Sequence, residues 1–204
     1  MHIRILDPNI TQAITEDLAI LATRFVAAGT TVDTRSPATG TPSIEIHVEE
    51  AIGAMGTIAR LAIGVDDYLI ACFGDTGLAA AREMARAPVV GMTKAASMVA
   101  ARFSVITLPP RTHIHTERVL RETGMGKHCA RVRAINIPAL DLVKQVDAVT
   151  AAFLAEARRA LDEDDAEAIV LGCAGLGAVV AQFTQALGVP VIDGVMGALK
   201  LAEG

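Results

Sequence analysis

The 204-residue sequence contains no tryptophan, one tyrosine and five phenylalanines, so aromatic side chains make up only 3% of it. Proteins that bind single-stranded nucleic acid usually stack its bases on aromatic side chains. An excess of positive charge is also missing, because 23 aspartates and glutamates outnumber 18 lysines and arginines. Few aromatic residues and a formal net charge of −5 therefore argue against a nucleic-acid partner.

Long uninterrupted apolar runs are absent as well, although 52% of the residues are hydrophobic. Gly, Asp or Arg interrupts each run well before the ~18 residues that a membrane-spanning helix needs. The opening segment MHIRILDPNI has too short an apolar stretch for a secretory signal. Three cysteines are too few to indicate a disulfide framework and are typical of free thiols in a reducing compartment. We therefore expect a cytoplasmic protein with no membrane partner.

The sequence does contain one pattern that occurs twice. Residues 68–91 read YLIACFGDTGLAAAREMARAPVVG, and residues 168–194 read AIVLGCAGLGAVVAQFTQALGVPVIDG. Each segment is an apolar run that reaches a cysteine, followed by a turn with glycine, an alanine-rich amphipathic stretch, a proline and a second apolar run. Internal repeats decide the architecture of a chain, and this one predicts two similar strand–turn–helix–strand units.

Alternating strand and helix patterns in the rest of the chain predict an α/β protein, with mainly parallel sheets flanked by helices. We expect two pseudo-symmetric lobes, residues 1–96 and 97–193. Thr11 is placed to cap the first helix, and residues 141–164 have apolar side chains at helical spacing. In parallel sheets, ligands bind at the carboxyl ends of strands, and both repeated cysteines lie at such ends.

Cys72 and Cys173 each lie between a strand and a helix, where backbone N–H groups and the positive helix end favour a thiolate. A thiolate removes a proton from carbon and a thiol returns one. Two such groups on opposite sides of a stereocentre would racemise it without a cofactor. The small residues after each cysteine leave room for N–H groups that stabilise an enolate-like charge. The alternative is that both are inert buried side chains, as we expect for Cys129.

Other chemistries have less support in the sequence. No Cys-x-x-Cys or His-x-x-x-His pair occurs. His113 and His115 could share one side of an extended segment but lack further ligands, so no metal site is predicted. The turn GDTGLAAARE lacks the lysine of a phosphate-binding loop, and neither GxGxxG nor the GxSxG of serine hydrolases is present.

Six segments together resemble the Asp/Glu/hydantoin racemase superfamily, and within it the hydantoin and allantoin racemase branch. They are DPN at 7–9, SIE at 43–45, ACFGDTGL at 71–78, FSVITLPPRT at 103–112, VLGCAGL at 170–176 and VPVIDGV at 189–195. The resemblance implies a site between two lobes, homo-oligomer assembly, and a final helix (194–204) packed on the first lobe. It also implies cofactor-independent inversion at C5 of a small-molecule substrate, a 5-substituted hydantoin, of which allantoin is one.

By motif position, the resemblance makes Cys72 and Cys173 the two acid/base thiols. It places Ile44 and Glu45 in a mobile loop that covers the ligand. The residues expected to hold the ring and its carbonyls are Asn9, Phe73, Gly74, Thr107, Leu108, Ala174 and Gly175. The chain departs from the branch at Asp7, where asparagine is usual, and at Thr76, where proline is common.

Two other interpretations stay open. One is a different enzyme of the same fold, such as an amino-acid racemase, a maleate isomerase or an arylmalonate decarboxylase. The other is a non-catalytic protein that binds a small ligand. A free amino acid would require charged groups for its carboxylate and ammonium. No arginine lies in the cysteine turns, and Arg111 is the nearest candidate.

Overall fold

Two four-stranded parallel sheets form the centre of the computed structural model, which describes residues 1–142 and 144–204. The first sheet has the order β2-β1-β3-β4, and the second repeats it as β6-β5-β7-β8. The strands are β1 (His2–Leu6), β2 (Thr31–Arg35), β3 (Asp67–Ile70), β4 (Val89–Gly91), β5 (Phe103–Thr107), β6 (Cys129–Ala134), β7 (Ala168–Leu171) and β8 (Val191–Asp193). The predicted α/β class with two similar parallel sheets is confirmed.

Helices connect the strands, as parallel pairing requires. They are α1 (Gln12–Phe25), α2 (His47–Ile58), α3 (Leu78–Met84), α4 (Met92–Met98), α5 (His113–Glu122), α6 (Val146–Glu163), α7 (Val180–Leu187) and α8 (Gly194–Glu203). The helix predicted over 141–164 begins later, at Val146, and Val143 lies outside the described residues. Within the described ranges, no helix has the length and apolar character needed to cross a membrane.

The start of α1 shows one local prediction that is wrong. Thr11 lies at the N-cap, but its side chain does not cap the helix. Its hydroxyl instead donates to the Pro42 carbonyl at 2.7 Å. The Thr11 N–H is taken by the Asn9 side-chain oxygen at 2.8 Å. Thr11 therefore fastens α1 to the loop after β2.

A continuous apolar core joins the two sheets. Helices α4 and α8 follow the last strands of the first and second sheets and pack against each other. Buried residues of both helices belong to the same cluster as Ile3 of the first sheet and Val105 of the second. A Cβ on Gly194 would lie 2.8 Å from the Met92 carbonyl oxygen, so this close crossing requires glycine. Helix α8 also packs on α1 and on strands β3 and β4.

In each sheet, the second strand of the chain pairs on one side of the first (β1 or β5) and the third strand pairs on its other side, so the strand order reverses there. In open parallel sheets, ligands bind outside the carboxyl ends of strands at such a reversal. The reversals lie between β1 and β3 and between β5 and β7. Four chain segments follow these strands, beginning at Asp7, Ala71, Leu108 and Gly172. Sheet topology thus indicates the same four segments as the sequence motifs.

Candidate active site

A cavity of about 510 Å³ lies where these four segments meet. Its volume is within the range of sites that bind small molecules. Ten of the eleven residues predicted for the site line it: Asn9, Ile44, Cys72, Phe73, Gly74, Thr107, Leu108, Cys173, Ala174 and Gly175. The eleventh, Glu45, is buried behind the lining. The structure therefore brings both predicted thiols to one cavity.

The turn after β3 holds Cys72 through side chains. The Thr76 hydroxyl donates a hydrogen bond to the Cys72 sulfur at 3.2 Å. Asp75 has a φ of 48°, in the left-handed region that non-glycine residues seldom adopt. Its carboxylate accepts from the Thr93 N–H at 2.9 Å, and the Thr93 hydroxyl accepts from the Gly74 N–H at 3.1 Å. These bonds fix the turn onto the start of α4.

The turn after β7 holds Cys173 through the backbone. A 3-10 helix, Ala174–Val179, begins immediately after the cysteine. The backbone N–H groups of Gly175 and Ala174 act to lower the pKa of the Cys173 thiol, against the larger effect of burial. The regular helix therefore provides here what a threonine hydroxyl provides beside Cys72.

Strand β5 passes very close to the residue before Cys173. A Cβ on Gly172 would lie 2.9 Å from the Ile106 carbonyl oxygen, so a side chain does not fit there. The Thr107 hydroxyl is within 3.3 Å of the Gly172 carbonyl and 2.7 Å of the Thr112 hydroxyl. Thr107 thus holds the peptide that leads into Cys173, in addition to lining the cavity.

The surroundings of both thiols favour the protonated form. Burial raises the pKa of Cys72 to about 12, and the nearby Asp7 and Asp75 carboxylates add to the rise. Burial raises the pKa of Cys173 to about 11, and Asp193 contributes in the same direction. Backbone N–H groups favour the thiolate at Cys173 as expected, but desolvation outweighs them. A thiolate is therefore a minor form at neutral pH.

Asp7 lies behind the cavity wall and fixes Asn9. The Asn9 side-chain N–H donates to the Asp7 carboxyl at 2.5 Å, and the Thr15 hydroxyl donates to its other oxygen at 2.9 Å. Burial raises the pKa of Asp7 to about 7, although these hydrogen bonds oppose the rise. Asp7 therefore carries a partial charge near neutral pH while it sets the orientation of the Asn9 amide.

Glu45 ties the loop over the cavity to the opposite side. Its carboxylate accepts from the Ala139 N–H at 2.7 Å and from the Arg111 guanidinium. Both partners follow strands of the second sheet, whereas Glu45 precedes α2. The loop is thereby held with Ile44 against the cavity. Arg111, the candidate partner for a substrate carboxylate, is already paired.

A polar cluster from α2 and α5 borders the cavity. The Glu50 carboxylate accepts from the Arg118 guanidinium, and its Oε2 lies 3.2 Å from His47 Nδ1 and 3.0 Å from His115 Nδ1. His47, Glu50 and His115 offer ligand atoms within 4.8 Å of one another, an arrangement that could hold a metal ion. The Glu50 carboxylate, however, is already paired with the positive charge of Arg118, in the place that a metal ion would take.

The sequence analysis did not identify several parts of the site. His113 and His115 were considered as neighbours on an extended segment, but both belong to α5, and of the two His115 lines the cavity. Leu18 and Leu21 of α1 also face the cavity, and their apolar character alone does not distinguish them from core residues. Periodicity shows which residues are apolar and buried, and it does not separate a packed core from a cavity wall.

Known proteins match the chain over its whole length. The Asp/Glu/hydantoin racemase family matches residues 3–202. The hydantoin racemase of Rhizobium meliloti is 43% identical over 211 residues, covering 100% of this chain and 88% of the relative. The structures of allantoin racemases from Klebsiella pneumoniae and Pseudomonas fluorescens are 41% and 34% identical. Both match with a TM-score of 0.94, over 100% of this chain and over 86% and 89% of theirs. The chain therefore belongs to the Asp/Glu/hydantoin racemase family and is an enzyme of the racemase type.

Proposed function

We propose that this enzyme racemises 5-monosubstituted hydantoins by proton transfer at C5 between Cys72 and Cys173. The observation that carries the proposal is that the two thiols, from equivalent turns of two similar sheets, line one cavity. Similarity along the full chain to relatives named hydantoin racemase and allantoin racemase supports this substrate class.

The charges around the cavity favour a neutral ligand. Among the described lining residues, Arg24 is the one arginine or lysine, and it lies on the exposed side of α1. Arg111 and Arg118 are each paired with a glutamate. A free amino acid would need unpaired charges for its carboxylate and ammonium, whereas a hydantoin ring carries neither group.

The proposed reaction begins with one thiolate and one thiol. The thiolate takes the C5 proton, and the electron pair of the broken C–H bond moves into the adjacent carbonyl to form an enolate. The thiol on the opposite face then gives its proton to C5, which inverts the centre. The enzyme is left with the protonation states of its two cysteines exchanged, ready for the opposite enantiomer.

Stabilisation of the enolate differs between the two sides of the cavity. The Gly74 N–H, expected to contact the substrate, donates to the Thr93 hydroxyl. The N–H groups at the start of the 3-10 helix Ala174–Val179 lie beside Cys173. The Gly74 N–H is thus already occupied, and we propose that the N–H groups beside Cys173 stabilise negative charge, first on the sulfur and then on the ring oxygen.

Proton NMR in D2O, with single enantiomers of 5-benzylhydantoin and allantoin, tests the proposal. We expect the C5–H signal to disappear while optical rotation falls, both faster than in an enzyme-free control. Racemisation of glutamate or aspartate without any effect on either hydantoin would contradict the proposed substrate class.

A further inference from the structure

The helices α4 and α8 begin at equivalent places in the two sheets. Gly91 ends β4 and precedes α4, and Asp193 ends β8 and precedes α8. Gly91 pairs with Ile70 and Asp193 pairs with Leu171, and each of these partners lies two residues before a cysteine. The two backbones also have the same conformation, with φ of −92° at both residues and ψ of 135° and 131°. A side chain would therefore leave the backbone in the same direction at both positions.

Asp193 has a side chain at this position, and Asp75 takes its place in the first sheet. The Asp193 carboxylate caps α8 by accepting from the Met196 N–H at 2.9 Å. Asp75 comes from the cysteine turn, and its carboxylate accepts from the Thr93 N–H at the start of α4, also at 2.9 Å. A Cβ on Gly91 would lie 2.5 Å from the Asp75 carboxylate. This carboxylate thus occupies the space that the Asp193 side chain fills in the second sheet.

Both carboxylates carry more than a helix cap requires. Asp75 is 6% exposed and Asp193 is 2% exposed. Within the described parts of the chain, the Oδ2 atom of each has no hydrogen-bond partner. Asparagine or serine caps a helix about as well as aspartate, without bringing a charge into the interior, where charge is costly. Capping alone therefore does not explain two buried carboxylates at equivalent places.

Each carboxylate lies near the thiol of its own sheet. The Asp75 N–H donates to the Cys72 carbonyl at 3.0 Å, which closes the turn between them. Asp193 is on the strand next to the one that leads into Cys173. Burial raises the pKa of both carboxyls to about 6, so both are mainly ionised above that pH. Burial is also the main cause of the raised thiol pKa values, and the Asp75 charge adds to the rise at Cys72 as the Asp193 charge does at Cys173.

The proposed reaction passes through two forms of the enzyme, with the thiolate on one cysteine or on the other. Each turnover converts one form into the other, so a large difference in free energy between them would slow one direction. We propose that Asp75 and Asp193 are a matched pair of positioning residues, whose negative charges beside the two thiols keep these two forms close in free energy. This inference rests on the proposed function.

The other charged groups near these residues do not provide the same balance. Asp7 acts on both thiols and therefore favours neither. Arg82 of α3 and Arg118 of α5 interact with Asp75, and both favour its ionised form. The charges that act on one thiol and not on the other thus include one carboxylate in each sheet.

Replacing each carboxylate by an amide tests the balance. D75N and D193N keep an oxygen that can accept the helix N–H but remove the charge. D75N should favour the thiolate at Cys72, D193N should favour it at Cys173, and D75N/D193N should restore the balance. D67N is the matched control, because Asp67 is also buried with an unpartnered oxygen but begins β3, at the end of the strand away from Cys72.

An exchange of positions tests the equivalence. D75G removes the carboxylate at a φ of 48°, which glycine adopts readily, and should lower the Tm by about 3 °C through the lost cap. D75G/G91D returns a carboxylate to the start of α4 from the position that Asp193 has in the second sheet. It should recover most of the lost Tm and the wild-type reactivity of Cys72.

Alkylation at Cys72 and Cys173, followed by mass spectrometry at pH 8, measures the balance. With neutral iodoacetamide, the ratio of the Cys72 rate to the Cys173 rate should rise about threefold in D75N and fall about threefold in D193N. It should match the wild type in D75N/D193N and in D67N. Anionic iodoacetate should gain more than iodoacetamide at the affected cysteine, because the loss of a negative charge favours an anion, whereas a looser turn would favour both reagents equally.

Turnover provides a second measurement. Racemisation has an equilibrium constant of one, so kcat/KM must stay equal for the two enantiomers, and an imbalance between the thiols must appear in kcat. D75N and D193N should therefore favour opposite enantiomers of 5-benzylhydantoin in kcat, and D75N/D193N should turn over both at similar rates.

Unchanged alkylation ratios in D75N and D193N, or equal changes at both cysteines, would overturn the inference, as would a failure of D75G/G91D to improve on D75G. If the wild type racemises hydantoins and the ratios do not change, only the role of the two carboxylates fails. If the ratios change as expected and the wild type does not racemise hydantoins, the proposed function fails, and the action of each carboxylate on its own thiol stands.

Discussion

The two cysteine turns occupy equivalent places in two sheets of the same strand order, yet different groups surround the two sulfur atoms. A threonine hydroxyl donates to Cys72 from an irregular turn, whereas the backbone N–H groups at the start of a 3-10 helix oppose the rise in the pKa of Cys173. Burial raises both pKa values, and different groups oppose the rise: the Thr76 hydroxyl at Cys72, and the N–H groups of Gly175 and Ala174 at Cys173. Thiols at equivalent positions in the two sheets therefore have different surroundings.

Replacing either thiol should produce the largest effect. We expect C72S and C173S each to lower kcat for racemisation by on the order of 10³-fold, because serine is a poor base and each face needs its own proton carrier. Each variant should still exchange the C5 proton of one enantiomer with solvent, through the remaining thiol.

NMR in D2O with separated enantiomers measures this exchange. The two variants should label opposite enantiomers, because each keeps the thiol on a different face of the substrate. Full racemisation by either variant would show that a two-thiol mechanism is wrong.

The pH dependence of the rate tests the raised thiol pKa values. The active form has one thiolate, and both pKa values lie above neutrality, so kcat/KM should rise with pH between about 6 and 9 by up to tenfold per unit. The slope should be shallower near pH 7, where Asp7 ionises and its charge opposes thiolate formation. Initial rates corrected for uncatalysed racemisation at each pH measure the profile. A flat profile would mean that the thiols ionise more readily than their burial indicates.

Gly172 offers a way to disturb one turn without changing a sulfur. In G172A the new Cβ would press on the Ile106 carbonyl, which belongs to a central strand and cannot move aside easily. We expect a loss of about 1–3 kcal/mol in the free energy of unfolding, measured by urea denaturation. The control is G197A on α8, where the added Cβ has only ordinary contacts at 3.6 Å or more. Equal stability of the two variants would contradict the close approach of β5.

The smallest expected effect concerns the hydroxyl beside Cys72. T76V keeps the shape of the side chain but removes the O–H donor, which should raise the pKa of Cys72. Alkylation by iodoacetamide, followed at each cysteine by mass spectrometry, should slow about fivefold at Cys72, as expected for one lost hydrogen bond of ~1 kcal/mol. The rate at Cys173 should stay unchanged. A similar change at both thiols would indicate a general disturbance of the cavity.

The sequence predicted the fold and the place of the site because both depend on local patterns. Apolar runs that end at Cys72 and Cys173 are strands, and a repeat of that unit requires two similar sheets. Once the strands are parallel, their carboxyl ends meet on one side. The family follows from the same motifs, and matches along the whole chain confirm it.

The sequence could not predict properties that depend on packing in three dimensions. The raised pKa of Cys72 results mainly from burial by elements far apart in the chain, which no local pattern records. Glu45 is adjacent to Ile44 in sequence, yet its carboxylate is hydrogen-bonded to Arg111 and Ala139, far along the chain. His115 meets Glu50 across 65 residues of chain, so neither residue alone indicates the pair.

The crossing of α4 and α8 bears on how the molecule unfolds. Because their side chains share one apolar cluster with strands of both sheets, either half alone would leave its part of that cluster exposed. We therefore expect a single cooperative melting transition, with equal calorimetric and van't Hoff enthalpies. Residues 1–98 expressed alone should expose the α4 face that α8 covers and bind hydrophobic dyes. The two copies of the repeated pattern are thus expected to unfold together.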